Sequence, residues 1–92
     1  MIHEGHIREA MEGLRWCRKD TCTREAIGAR RYILIVAWVP HHNATTWTVC
    51  LGAYSRVIGE GTCEGPHPLY AAKEAAVRRW LEHDEEEATC NK

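Results

Sequence analysis

The sequence predicts an α+β fold in the order α-β-β-β-α, a three-stranded antiparallel sheet with two helices packed on one face. Three observations carry this. Apolar residues recur at helical spacing over 6–19, β-rich segments fill 31–63, and an Ala-, Glu- and Arg-rich stretch follows Pro68. The connections between the β segments are short, so the strands pair antiparallel; a parallel crossover needs about a dozen residues or more.

In the first helix Ile7, Ala10, Met11, Leu14 and Cys17 form one stripe, with Arg8, Glu12, Arg15 and Lys19 off it. Gly13 weakens that helix by roughly 1 kcal/mol relative to Ala. Residues 20–28 read as a loop, with room for a turn of helix over 23–27. The first strand, 31–39, ends at Pro40, which cannot continue a ladder. The segment 40–45 is a loop. The second strand, 47–54, alternates Trp47, Val49, Leu51 and Ala53 against Thr48, Cys50, Gly52 and Tyr54. A turn at Ser55-Arg56 leads to a glycine-punctuated third strand over 57–63. The last helix spans 69–86, with Leu69, Ala72, Ala76 and Trp80 on one stripe beside Val77 and Leu81. Glu85, Glu86 and Glu87 oppose the dipole at its C-terminal end, which predicts fraying there and a mobile tail over 85–92.

Ninety-two residues make one domain, 1–92, with its core over about 6–84. Hydrophobic residues at 45% and charged residues at 27% are globular proportions. The longest apolar run, 33–39, is strand-sized, so no membrane partner is expected. No basic, apolar leader is visible at the start, which predicts a cytoplasmic protein. The five cysteines are an odd number, read as free thiols instead of a closed disulfide framework. Net charge is −1 but uneven: residues 1–31 hold seven Lys or Arg against five Asp or Glu, and residues 64–92 hold four against seven. A dedicated nucleic-acid binder is usually more basic.

Several residues resemble the pattern of double-stranded-RNA-binding domains. Tyr32 precedes Pro40 by eight residues, and Pro40-His41-His42 resembles that family's Pro-x-His loop. Trp47-Thr48-Val49 looks like its Phe-Thr-Val, and Arg56-Val57-Ile58-Gly59-Glu60-Gly61 like its third strand. Ala72-Lys73-Glu74-Ala75-Ala76 resembles the signature of its last helix. The similarity covers residues 31–82, with the first helix agreeing in position only. It implies RNA contact by shape at three patches: the first helix, where Glu9, Glu12 and Arg15 would stand; the loop, with His42; and the start of the last helix. At the third patch only Lys73 keeps the family's cationic cluster, and Val39 replaces the glycine before the loop proline. Phosphate contacts supply most of the affinity in such domains, so this departure predicts weak RNA binding or a changed target.

Single residues carry two readings each. His41 and His42 are either RNA contacts or solvated loop histidines. Lys73, Arg78 and Arg79 form either a basic edge or salt bridges with Glu74, Glu82 and Asp84. Trp16 falls opposite the Ile7–Leu14 stripe on helical geometry, as a partner anchor or as a cover for the 20–28 loop. The first strand is apolar on both faces, which predicts that the open side of the sheet is covered by a second copy, a partner protein or the long loop, with a partner favoured. Cys17 with Cys22, His3 with His6, and Cys63 with His67 lack Cys-x2-Cys spacing, so no metal or cofactor is expected. No phosphate loop, nucleophile elbow or paired carboxylates appear, and neither catalysis nor a small-molecule substrate is expected.

Two functions remain. One is a stand-alone double-stranded-RNA-binding module. The other, which the thinned phosphate patch favours, is a non-catalytic inhibitor or adaptor on a nucleoprotein complex or structured RNA. In size and character the chain is similar to the small phage-encoded inhibitors called anti-CRISPR proteins, which implies contact with a CRISPR surveillance complex and its guide RNA. Under that reading Arg15, Lys19, Arg30, Arg31 and Lys73 would meet nucleic acid, while Trp16 and the apolar sheet would face protein.

Overall fold

A computed structural model describes residues 3–28, 31–39, 43–52 and 56–90. Helix α1 (Glu4–Gly13) is followed by strands β1 (Cys17–Arg18), β2 (Thr23–Ile27), β3 (Tyr32–Val39), β4 (Ala44–Leu51) and β5 (Arg56–Cys63), then helix α2 (Pro68–Cys90). The five strands form one antiparallel meander in the order β1-β2-β3-β4-β5.

This corrects the three-stranded sheet expected from the sequence. The segment 20–28 is not simply a loop, and 23–27 is not helical: it is β2, paired with β3 from Ile33 to Ala37. The reason lies in β3. A strand that is apolar on both faces suits the interior of a sheet, where both of its backbone edges are paired, and β2 supplies the second edge. Register pairs Arg24 with Val36, Glu25 with Ile35 and Ala26 with Leu34, and Gly28 N–H and Trp38 N–H close the ladder onto Tyr32 and Cys22 carbonyls, both at 2.8 Å. Glu25 and Ala26 are mildly depleted in strands while Thr23 and Ile27 favour them, so local propensity is mixed and tertiary context decides the pairing.

Helix α1 is also shorter than expected. It stops at Gly13; Leu14 is already extended (φ −81°, ψ 140°), although its N–H still reaches the Ala10 carbonyl at 3.1 Å. Cys17 therefore leaves the helical stripe for β1. The turn that reverses the chain into β2 is local chemistry: the Asp20 carboxylate accepts the Cys22 N–H at 2.9 Å, an Asx-turn. That bond, with further hydrogen bonds from Thr23, holds the Asp20 carboxyl below its ordinary pKa. At the other end of the chain α2 continues to Cys90, past the 86 expected from the sequence.

Both helices lie on the face of the sheet that carries Tyr32, Leu34 and Val49. Those residues close the core with Ile7 from α1 and Ala76, Val77, Trp80 and Leu81 from α2. Two glycines permit the close approach. A Cβ on Gly61 would stand 2.7 Å from the Trp47 indole nitrogen, and one on Gly28 would stand 2.9 Å from the Trp80 ring. Within the core the Tyr32 hydroxyl and His83 Nδ1 share a buried hydrogen bond of 2.8 Å, which ties β3 to the middle of α2. On the opposite, helix-free face, Ile27, Ile33, Cys50 and Val57 stand in one row across four strands, with Ile27 71% and Val57 54% exposed.

Two outcomes test this arrangement. Alternation of bonded pairs along the β2–β3 ladder places the Arg24 and Ala26 amides in hydrogen bonds, so hydrogen exchange should find them as slow as β4; exchange at loop rates would refute β2. Leu34→Ala should cost about 2–5 kcal/mol and Tyr32→Phe about 1–3 kcal/mol through the unpaired His83 nitrogen, both read by denaturant unfolding.

Candidate functional site

The side of the molecule where α1 ends, α2 begins and the β1–β2 hairpin turns carries the densest chemistry. The break after Gly13 swings Trp16 off the helix axis and onto α2. There Lys73 Nζ stands 5.2 Å from the centre of the Trp16 ring, a cation–π contact. Arg8, Met11, Glu12, Trp16, Tyr70 and Lys73 line one pocket of 360 Å³ between the helices.

A second cleft adjoins it and shares Tyr70. It holds 470 Å³ between the β1–β2 turn, the end of β3 and the start of α2, and Arg24, Trp38, Asn43, His67, Leu69 and Tyr70 stand in its walls. Leu69, expected on the buried stripe of the last helix, instead faces this cleft and is 38% exposed. Trp38 and Tyr70 are 44% and 57% exposed.

Register explains why cations gather here. Arg18 pairs directly with Arg24, and Arg24 with Val36 of the buried face, so both arginines belong to the helix-bearing side of the sheet. Like charges opposite one another across strands are destabilising. Arg24 is moreover close enough to Lys73 for its charge to bear on the ammonium: burial first, and then Arg24, hold the Lys73 pKa below the ordinary lysine value. Among the described residues, no carboxylate lies within 4 Å of the charged ends of Arg8, Arg24 or Lys73; the ion pairs of the chain are elsewhere. Arg8 and Lys73 share the inter-helix pocket with one carboxylate, Glu12, and Arg24 stands near enough to Asp20 for its charge, after the Cys22 N–H bond, to help hold that carboxyl below its ordinary pKa.

Of the residues singled out in the sequence, Glu12, Trp16 and Lys73 come together in that pocket. Arg15 is exposed on the connector between α1 and β1. Lys19 turns the other way and pairs with Glu25 at 3.5 Å. Arg31 sits at the far end of β3 from Trp38, exposed and with a positive φ of 69°. Arg30, His41 and His42 lie outside the described residues. Arg78 and Arg79, the other half of the expected basic edge, are held by the fold: Arg78 bonds Glu4 at 2.8 Å and approaches Glu74 at 3.6 Å, and Arg79 donates to the Ile58 carbonyl at 2.8 Å. Sequence reasoning missed Arg18, Arg24, Trp38 and Tyr70. The Asp20-Thr21-Cys22 turn was the available signal, since a hairpin there would have set the two arginines side by side.

The remaining chemistry is sparse. Among the described residues, no three His, Cys, Asp or Glu side chains form a group that could hold a metal ion. Cys17, Cys22, Cys50 and Cys63 are free thiols, and burial pushes those of Cys50 and Cys63 above the ordinary thiol pKa, which makes them less reactive. No described helix is long and apolar enough to cross a membrane. The fold is an α+β protein built on a five-stranded antiparallel meander. No protein-family model matches the chain, and neither a curated protein nor a solved structure matches it.

The depressed Lys73 pKa has a sign that can be measured. The unfolded chain holds that proton more tightly than the folded one, so stability should rise with pH through the folded-state pKa of Lys73 toward the ordinary lysine range. Lys73→Met should flatten that rise in alkaline denaturation series, whereas an unchanged rise would assign it to other groups.

Proposed function

We propose that this chain is a non-catalytic binding protein that grips the nucleic-acid component of a nucleoprotein complex through the paired pockets around Tyr70. The observation that carries this reading is the gathering of Arg8, Arg24 and Lys73 around two adjoining pockets, with none of the three in an ion pair within 4 Å among the described residues, bordered by Trp16, Trp38 and Tyr70. Such a cluster is costly in the free protein and is relieved by an anion. Phosphates supply the anion, and the exposed rings of Trp38 and Tyr70 beside them supply contact to bases or riboses.

Acting by occupancy, the protein would serve as an inhibitor or adaptor. One form of that role is an anti-CRISPR inhibitor covering the guide RNA of a surveillance complex; its support is the concentration of cations and aromatics on one side.

Salt-dependent binding of a labelled RNA tests the reading. Affinity should fall linearly on a log–log plot, and Arg24→Ala with Lys73→Ala should reduce the slope by about 0.7–0.9 for each cation removed. Arg78→Ala, which removes a cation on the other side of α2, should leave the slope unchanged. Absence of binding to any nucleic acid at low salt would overturn the proposal and point to a protein partner.

A further inference from the structure

We infer that the nucleic acid held by this site is single-stranded, with one unstacked base seated in the cleft between Trp38 and Tyr70 and its flanking phosphates on Arg24 and Lys73. This rests on the reading of the site as a nucleic-acid interface and deepens it.

The first ground is the distribution of exposed apolar bulk. Of the large hydrophobic side chains that stand exposed, Trp38, Leu69 and Tyr70 all border the 470 Å³ cleft. Aromatic faces offered to solvent in this way are useful to a base only when that base has left its neighbours, because in a duplex both faces of every base are already stacked. The second ground is the polar rim of the same cleft. The Asn43 amide, the Thr21 hydroxyl and the His67 imidazole border the space that the rings enclose. All three can both donate and accept hydrogen bonds, which suits the free Watson–Crick edge of an unpaired base.

The third ground is the order of the pockets. The aromatic cleft and the Trp16–Lys73 pocket meet at Tyr70, and Arg24 lines the first while its charge reaches the Lys73 ammonium in the second. A strand threaded across Tyr70 would alternate a base site with a phosphate site. A duplex fits poorly by comparison. Helix α1 has only ten residues and carries Glu4, Glu9 and Glu12, and Glu12 faces the pocket that phosphates would enter. A rigid phosphate ridge laid across both pockets would meet that carboxylate, whereas a flexible strand can place its phosphates past it.

The test compares three probes by fluorescence anisotropy on the full chain: an unstructured single-stranded RNA, the duplex of the same sequence, and inorganic polyphosphate. The single strand should bind at least about tenfold more tightly than the duplex. Trp38→Ala and Tyr70→Ala should each weaken single-strand binding by roughly 5- to 150-fold, the range for losing one aromatic stacking partner, without changing the salt slope or polyphosphate binding. Trp38→Phe, which keeps an aromatic face, should restore much of the loss. Circular dichroism of the variants checks that they fold; both positions are half-exposed or more. Equal or tighter duplex binding, or single-strand binding indifferent to both aromatics, would overturn the single-strand assignment while leaving the nucleic-acid reading in place. If none of the three probes binds, both fall.

Discussion

Leu34 and Val36 are fully buried in the middle of β3, and the alternate side chains of the same strand, Ile33, Ile35 and Ala37, are apolar too. Such a strand needs a bonded neighbour along each edge and a cover on at least one face. β4 supplies one edge over eight residue pairs and β2 the other over five. Helix α2 supplies the cover, with Ala76, Val77 and Trp80 on Leu34 and Val49. The buried bond between Tyr32 and His83 then fixes where along its length α2 rests. Loss of β2 would expose the backbone of β3 and the flank of its buried row together.

That requirement places the candidate site. Pairing β2 with β3 in the observed register sets Arg24 opposite Val36 and on the helix-bearing side. A shift of one residue would turn Arg24 away and bring Glu25 in, since strand side chains alternate between faces. The same pairing draws the β1–β2 hairpin beneath the start of α2, where Lys73 and Tyr70 point toward it. The cations are therefore not a surface accident of composition. They are held together by the edge partner that the most apolar strand demands.

The sequence made the long, strongly patterned elements legible. The helical stripe of α2, the period-two faces of β3 and β4 and the glycine spacing of β5 can each be read without coordinates, because each is dictated by its own residues. β2 was not legible for the opposite reason. Thr23-Arg24-Glu25-Ala26-Ile27 mixes strand formers at its ends with weaker ones between, too short and too charged to stand out, and it is a strand because it pairs with β3. The end of α1 was misjudged by six residues, since Leu14 and Cys17 keep the helical period after the helix has stopped at Gly13. Of the site, Trp16 and Lys73 were found as single residues but not as a pair, for their contact depends on that same break. Arg24 had no signal of its own, because its role depends entirely on β2 being a strand.

The net charge of −1 counted against a nucleic-acid partner in the sequence, and geometry changes its weight. Lys73 and Glu85 are twelve positions apart on α2, which at the helical rise is about 18 Å. Screening at physiological ionic strength acts over about 8 Å, so the acids at the far end of α2 are weakly felt at the cleft. Several acids along α2 are moreover engaged locally, Glu74 with Arg78 and Glu86 with Arg79. A ligand at Tyr70 therefore meets Arg8, Arg24 and Lys73 with Glu12 and, beside Arg24, Asp20, a local positive balance that the whole-chain sum hides. An uneven distribution of this kind also orients an approaching polyanion, with the acidic end of α2 turned away and the aromatic cleft leading.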